Sequence, residues 1–260
     1  MLLAIDVGNT NIVVGVFDGD VLRQDFRIES SRTRTSDEYG ILLLDLFRAR
    51  GLDPAAIDAA IVACVVPPLD GTIGATLRDF FHVEALTVGP GIKTALPIKA
   101  DNPREVGADR IVNSVAAHAA FGRAVIVVDF GTATTFDCVS AKGEYLGGAI
   151  SPGVGITSDA LFRAAAKLPR VDLARPPAAL GRNTVHAIQS GLLFGYVALV
   201  DGLVDRLRAE MGEPDCAVVA TGGIAPLIAP ESKTIQSVDP HLTLKGLQIL
   251  HVRNTKGAAR

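Results

Sequence analysis

The chain has 260 residues, 48% hydrophobic and 20% charged, with a mean hydropathy of +0.34. This excludes a disordered chain, and at this length roughly 70–75% of the unfolded surface can be buried, so a core needs no disulfides. The 25 basic and 28 acidic residues leave a net charge of −3, which excludes the broad cationic surface that tracks nucleic-acid phosphates and disfavours a polybasic membrane anchor.

The chain opens on a strand-like run, Met1–Ile5, which ends in Asp6-Val7-Gly8-Asn9-Thr10-Asn11. A second strand is predicted over Ile12–Phe17 and, past the Asp18-Gly19 turn, a third over Val21–Ile28. Ser36–Arg50 has helical spacing, and Thr35-x-x-Glu38 before it reads as a capping box. Ala59–Val66 is a continuous apolar run stopped by Pro67-Pro68, as in a strand buried on both faces. Leu69–Phe81 reads as helix and Ala85–Val88 as a short strand. A helix is predicted over Pro103–Phe121, with Asn102 as its cap and Glu105 at its third position.

The second half begins as the first did. Val127-Val128 leads into Asp129-Phe130-Gly131-Thr132-Ala133-Thr134-Thr135, then come strands at Phe136–Val139 and, after Lys142-Gly143, at Tyr145–Ile150. Val185–Glu210 reads as a long helix capped by Asn183 or Thr184, with Gly191, Gly195 and Gly202 taken as points of close packing. A strand at Cys216–Ala220 ends in Thr221-Gly222-Gly223, a helix is expected over His241–Leu250, and Thr255–Arg260 as a frayed tail. Cys64, Cys138 and Cys216 are odd in number and lack any Cys-x-x-Cys, so no zinc ribbon or redox pair is expected, and Cys64 and Cys216 read as reduced core residues. With no basic leader segment and no apolar stretch read as reaching the ~18 residues that span a bilayer, a soluble cytoplasmic protein is expected, without nucleic-acid or membrane partners.

The two Asp-x-Gly segments stand 123 residues apart, nearly half the chain. Three leading strands followed by alternating helix and strand, twice over, predict an α/β fold of two similar domains with mixed sheets and helices on both faces. The expected division is 1–118 and 119–254, with 255–260 as a disordered tail.

Neither Gly-x-x-x-x-Gly-Lys-Ser/Thr nor a Gly-x-Gly-x-x-Gly opening a helix occurs. The paired Asp-x-Gly turns offer another way to hold phosphate: main-chain amides approach at the glycine, and Asn9, Thr10, Asn11, Thr132 and Thr134 supply short donors. An aspartate at each strand end, Asp6 and Asp129, can hold a cation directly or through water. Asp109 is the second focus. On a helix from Pro103 its neighbours are Glu105, Val106, Val112, Asn113 and Ala116; the apolar surroundings and the like charge of Glu105 are both expected to raise its pKa toward that of a useful base. A plain Asp109–Arg110 surface pair is the competing reading. Gly181-Arg182-Asn183-Thr184 is either a simple cap or a helix N-terminus facing an anionic ligand. No histidine spacing suggests a metal site.

Asp6-Val7-Gly8-Asn9-Thr10-Asn11, Asp101-Asn102-Pro103-Arg104-Glu105-Val106-Gly107-Ala108-Asp109-Arg110 and Asp129-Phe130-Gly131-Thr132-Ala133-Thr134-Thr135, in that order, resemble type III pantothenate kinases over essentially the whole chain. The resemblance implies duplicated ribonuclease H-like (actin-like ATPase) domains of the acetate and sugar kinase and Hsp70 ATPase superfamily, with a nucleotide cleft between them. It also implies phosphorylation of pantothenate by ATP to 4′-phosphopantothenate, the first step toward coenzyme A. By position, Asp6, Val7, Gly8, Asn9, Thr10, Asn11, Ile12 and Val13 would bind ATP phosphates, with Asp6 near Mg²⁺. Gly131 and Thr132 would form a second phosphate loop, and Thr221, Gly222 and Gly223 would lie near adenosine. Gly107, Ala108, Asp109, Arg110 and Thr184 would contact pantothenate, with Asp109 as base. Asp129 would hold a monovalent cation, K⁺ or NH₄⁺, and the protein would be a homodimer. The family often has Tyr before Asp-Asn-Pro, where this chain has Ala100. A same-fold kinase for another small alcohol or acid, and a non-catalytic ATP-binding regulator, are the alternative readings.

Overall fold

The computed structural model describes residues 1–255. Strand β1 (Leu2–Val7) is buried at every residue except Asp6, because it lies between two partners. On one side β2 (Asn11–Asp18) pairs antiparallel, and on the other β4 (Ala59–Cys64) pairs parallel. With β3 (Val21–Glu29) and β5 (Ala85–Thr87) the sheet order is β3-β2-β1-β4-β5. The second sheet repeats it. β6 (Val125–Phe130) lies between antiparallel β7 (Ala133–Val139) and parallel β9 (Ala217–Gly222), flanked by β8 (Tyr145–Pro152) and β10 (Ser237–Val238), in the order β8-β7-β6-β9-β10. The duplication read from the paired motifs is therefore a duplication of topology.

Against the first sheet pack α1 (Ser36–Ala49) and α2 (Pro67–Phe81), through Tyr39, Leu43, Phe47, Leu69, Ile73, Leu77 and Phe81. The capping box is present: Thr35 accepts from the Glu38 amide and Glu38 from the Thr35 amide. The second core is built on Ile126, Val128, Phe136 and Val218 with Leu193, Val200 and Val204 of α5 (Thr184–Met211).

The chain divides into two compact units that are not continuous in sequence. The first comprises Met1–Ala95, Arg104–Ala116 and the residues from Thr243; the second comprises Leu96–Pro103 and Ala117–Leu242. The expected 1–118 and 119–254 division therefore departs from the structure at both ends of the second unit. The cause is α7 (Leu242–Thr255), which packs on first-unit residues: Leu244 lies against Gly15, and Gln248 bonds the Gly19 carbonyl. Thr255, read as tail, closes that helix; residues 256–260 lie outside the described residues.

Other boundaries moved for local reasons. Pro103–Glu105 is a single 3₁₀ turn, and α3 (Ala108–Phe121) starts only after Gly107. A helix not read from the sequence, α4 (Val154–Ala164), follows β8; it buries only Val154 and leaves Ile156, Leu161 and Phe162 exposed. A short helix, α6 (Ala225–Ile228), follows β9. Gly191, Gly195 and Gly202 are not points of close packing, since a Cβ there would meet nothing within 4 Å outside the helix's own backbone. Among the described residues one helix, α5, is long and apolar enough to cross a membrane, contrary to the sequence reading; its Leu192, Leu193, Tyr196, Val197, Val200 and Val204 are buried in the second core.

Asp201 on α5 pins the segment after α6. Its carboxylate accepts from Ser232 Oγ (2.6 Å), Thr234 Oγ1 (2.8 Å) and the amides of Lys233 and Thr234. Burial alone would raise this carboxyl, but the Ser232, Lys233 and Thr234 bonds outweigh it and hold the pKa below the ordinary value. A lowered folded-state pKa stabilises above the unfolded value and is lost as pH falls through the folded one. Asp201→Ala is expected to destabilise by about 2 kcal/mol at neutral pH, with the gap from wild type closing below about pH 4, as measured by denaturant unfolding across pH.

Candidate functional site

β1 delivers Asp6 to the end of the first sheet, and the turn that follows is clamped. The Gly8 amide donates to the Asn11 carbonyl (3.0 Å), Ser30 Oγ donates to the Gly8 carbonyl (2.5 Å), and the Ser30 amide donates to the Thr10 carbonyl (3.0 Å). Ser30, at the end of β3, was missed by sequence reasoning, although it follows the strand as an ordinary turn residue. Asn9 and Thr10 are exposed and Asn11 half-buried, whereas Val7 and Ile12 are core residues whose side chains cannot face a ligand. Only the backbone of those two can contribute to a phosphate site.

Asp109 occupies the first turn of α3 rather than the helix interior. Gly107 stands just outside, and a Cβ on it would lie 2.6 Å from Asp109 Oδ1. The glycine is thus explained by the carboxylate that folds back over it, not by helix packing. Oδ1 accepts from the Arg110 amide at 2.8 Å. Burial pushes the Asp109 carboxyl above the usual value, against the opposing pull of the Arg110 amide and guanidinium. Glu105, expected to add to that rise, is exposed on the preceding 3₁₀ turn, and the cause is desolvation.

In the second unit Asp129, the penultimate residue of β6, is in register with Thr221, and Phe130 with Gly222. Gly222 has φ +93°, and a Cβ there would lie 2.4 Å from the Phe130 carbonyl oxygen, so only glycine allows this approach. The Gly131 amide bonds the Ala133 carbonyl, and the Gly153 amide bonds the Thr132 carbonyl at 3.1 Å. A Cβ at Gly153 would lie 2.3 Å from that same oxygen. Gly153 therefore supports the Gly131–Thr132 turn from beneath; the dipeptide Pro152-Gly153 was its available sequence signal. Thr157 and Tyr196 join hydroxyls at 2.9 Å, and Tyr196 also bonds the Pro152 carbonyl, tying the start of α4 to α5. The structure thus brings Asp129, Gly131 and Thr132 to the same strand ends as Gly222 and Gly223.

Thr184 is the first residue of α5, and Asn183 is the cap, accepting from the His186 amide. Thr184 lines an open cavity of about 580 Å³ with Gly181, Arg182, Ile188, Leu161 and Leu168. Among the described residues no group of three or more His, Cys, Asp or Glu side chains could hold a metal ion. Asp6 and Asp129 each offer one hard oxygen donor, which fits a cation completed by water and phosphate, as Mg²⁺ commonly is.

The sequence model described as type III pantothenate kinase matches residues 2–206. A curated type III pantothenate kinase from Anaeromyxobacter sp. (strain K) is 59% identical over 254 residues, covering 98% of this chain and 100% of the relative. The chain belongs to the type III pantothenate kinase family. Among solved structures, one from Campylobacter jejuni described as a Baf family transcriptional activator matches with TM-score 0.59 at 19% identity, covering 98% of this chain and 99% of that one. An archaeal actin homologue matches with TM-score 0.55 at 12% identity, covering 97% and 99%. At such identities these two show the fold alone, and it is the actin-like ATPase fold.

In this type III pantothenate kinase the burial of Asp109 works against stability at neutral pH, where its carboxyl is ionised out of water. A carboxyl whose folded pKa is raised stabilises fully only below its unfolded value, and that contribution is lost as pH rises through the folded one. Asp109→Asn is therefore expected to raise Tm at pH 7, by about 2–4 °C per kcal/mol recovered at this chain length, with the gain vanishing in acid; calorimetry of both proteins at pH 7 and in acid checks this.

Proposed function

We propose that the chain transfers the γ-phosphoryl group of ATP to the primary hydroxyl of pantothenate, giving ADP and 4′-phosphopantothenate, the first step of coenzyme A synthesis. The observation that carries the chemistry is the desolvated Asp109 carboxylate at the start of α3, with Arg110 beside it. A phosphoryl-transfer transition state is loose, so positioning and charge neutralisation supply most of the acceleration. Asp109 accepts the hydroxyl proton, and Arg110 orients the substrate's carboxylate or amide end. Gly107 and Ala108 let the substrate approach, and Thr184 is a further pantothenate contact.

The Asp6–Val13 segment holds ATP phosphates through the backbone and through Asn9, Thr10 and Asn11. Gly131 and Thr132 form the second phosphate loop, supported by Gly153, and Gly222 and Gly223 lie near adenosine. Asp6 would hold Mg²⁺ and Asp129 a monovalent cation; bound there, these ions neutralise phosphate charge. That assignment suits a chain with no Walker lysine. The active form is a homodimer, and Ile156, Leu161, Phe162, Leu180 and Val185 are exposed apolar side chains available for such contact. We take α5 as a core helix of a cytoplasmic enzyme with no nucleic-acid or membrane partner.

A coupled ADP-release assay with pantothenate, Mg²⁺ and ATP, with and without K⁺, tests this reading. Turnover is expected with pantothenate and not with hexoses or acetate, and it should rise with K⁺. Asp109→Asn is expected to lower kcat by about 10²–10⁴-fold with the fold intact. ATP binding without pantothenate turnover in the presence of both cations would overturn the assignment in favour of a regulator.

A further inference from the structure

The base sits in the first turn of α3, so its place is set by whatever fixes that helix. A catalytic group must be held within about 0.5 Å of its productive position, and Asp109's own bond is to the adjacent Arg110 amide, which moves with it. The restraint comes from α7, at the far end of the chain. A Cβ on Gly246 would lie 2.2 Å from the Val112 carbonyl oxygen, 2.7 Å from Val112 Cγ1 and 2.9 Å from the Val112 carbonyl carbon, so only glycine lets the two helices come this close. Three residues earlier, Thr243 Oγ1 donates to Asn113 Oδ1 at 2.7 Å, and Asn113 is 1% exposed. Asn113 lies four residues after Asp109, one turn along the same face.

On its other side α7 meets the first sheet. Leu244 presses on Gly15 of β2, where a Cβ would come within 2.9 Å of its side chain, and β2 is the partner that places Val13 opposite Asp6. The helix end is pinned as well: Asn254 accepts from the Lys93 amide (2.9 Å) and donates to the Lys93 carbonyl (3.1 Å). A rigid helix, wedged between α3 and β2 and anchored at its end, sets the spacing between the base and the strand that carries Asp6.

We propose that α7 is the positioning element for the base: Thr243 and Gly246 fix α3 against the first sheet so that the Asp109 carboxylate stands where the substrate proton must be taken. Thr243 and Gly246 are positioning residues and touch no substrate. The inference rests on the reading of Asp109 as base.

The test compares Thr243→Val, which keeps the shape and removes the donor, with Thr243→Ser, which keeps the donor, and with Gly246→Ala, which forces α3 away. Folding of each is checked by circular dichroism at the assay temperature. Thr243→Val is expected to lower kcat about tenfold and Gly246→Ala about 100-fold, the scale of an ångström misplacement, with KM for ATP within about twofold in both. Thr243→Ser is expected to restore most of the rate. Should Gly246→Ala not fold, the Thr243 pair decides alone. A kcat within twofold of wild type in Thr243→Val, equal losses in Val and Ser variants, or KM for ATP rising in step with the loss of kcat each overturns the proposal. Asp109→Asn assayed alongside separates the two levels: if it is inactive and Thr243→Val is not impaired, positioning by α7 fails alone, whereas an active Asp109→Asn removes the base and this inference with it.

Discussion

The architecture depends on the burial of two central strands, β1 and β6. Each is flanked by an antiparallel hairpin partner on one side and a parallel strand on the other. Such a strand must be apolar along its length, and each tolerates one aspartate only near its C-terminal end, Asp6 and Asp129. The chain must then turn at once to form the hairpin. The same requirement therefore places a carboxylate and a glycine-containing turn at the end of each sheet. Backbone amides beside a strand-end carboxylate are groups that phosphate chemistry without a Walker lysine can use.

Asp109 obeys a different constraint. A carboxylate partly withdrawn from water is unfavourable unless something forces it there, and here Gly107 lets it fold back while the Arg110 amide holds one oxygen. The balance leaves its pKa raised, with burial the dominant cause. Stability alone does not account for a carboxyl in this place; the proposed role as base would. The interior of α3 beyond it is ordinary core, with Val112, Val115 and Ala117 buried.

The elements legible in the sequence were those whose signals are local. The Asp-x-Gly turns and the Thr35–Glu38 box each depend on a few adjacent residues and form as read, and of the two cap candidates, Asn183 and Thr184, it is Asn183 that caps α5. Long-range features were not legible. Nothing near Gly246 indicates that it meets Val112, so α7 was assigned to the second half of the chain when it belongs to the first unit. Asn102-Pro103 imitates a helix start, yet the chain makes one 3₁₀ turn and begins again at Ala108; this moved Asp109 from helix interior to first turn and removed Glu105 from its face. Helix α4 was not read although its apolar residues have helical spacing; most of them stay exposed in the fold. Gly153 gave a turn signal, but its contact with the Thr132 carbonyl requires the folded sheet.

The central claim is that a desolvated Asp109 takes the proton of the substrate alcohol. The most direct measurement is the pH dependence of kcat/KM for pantothenate at saturating ATP, with folding monitored over the same range. The account predicts an acid limb titrating above the ordinary aspartate value of about 3.8 and well above the acid unfolding transition. A rate flat down to the pH at which the protein unfolds would contradict it.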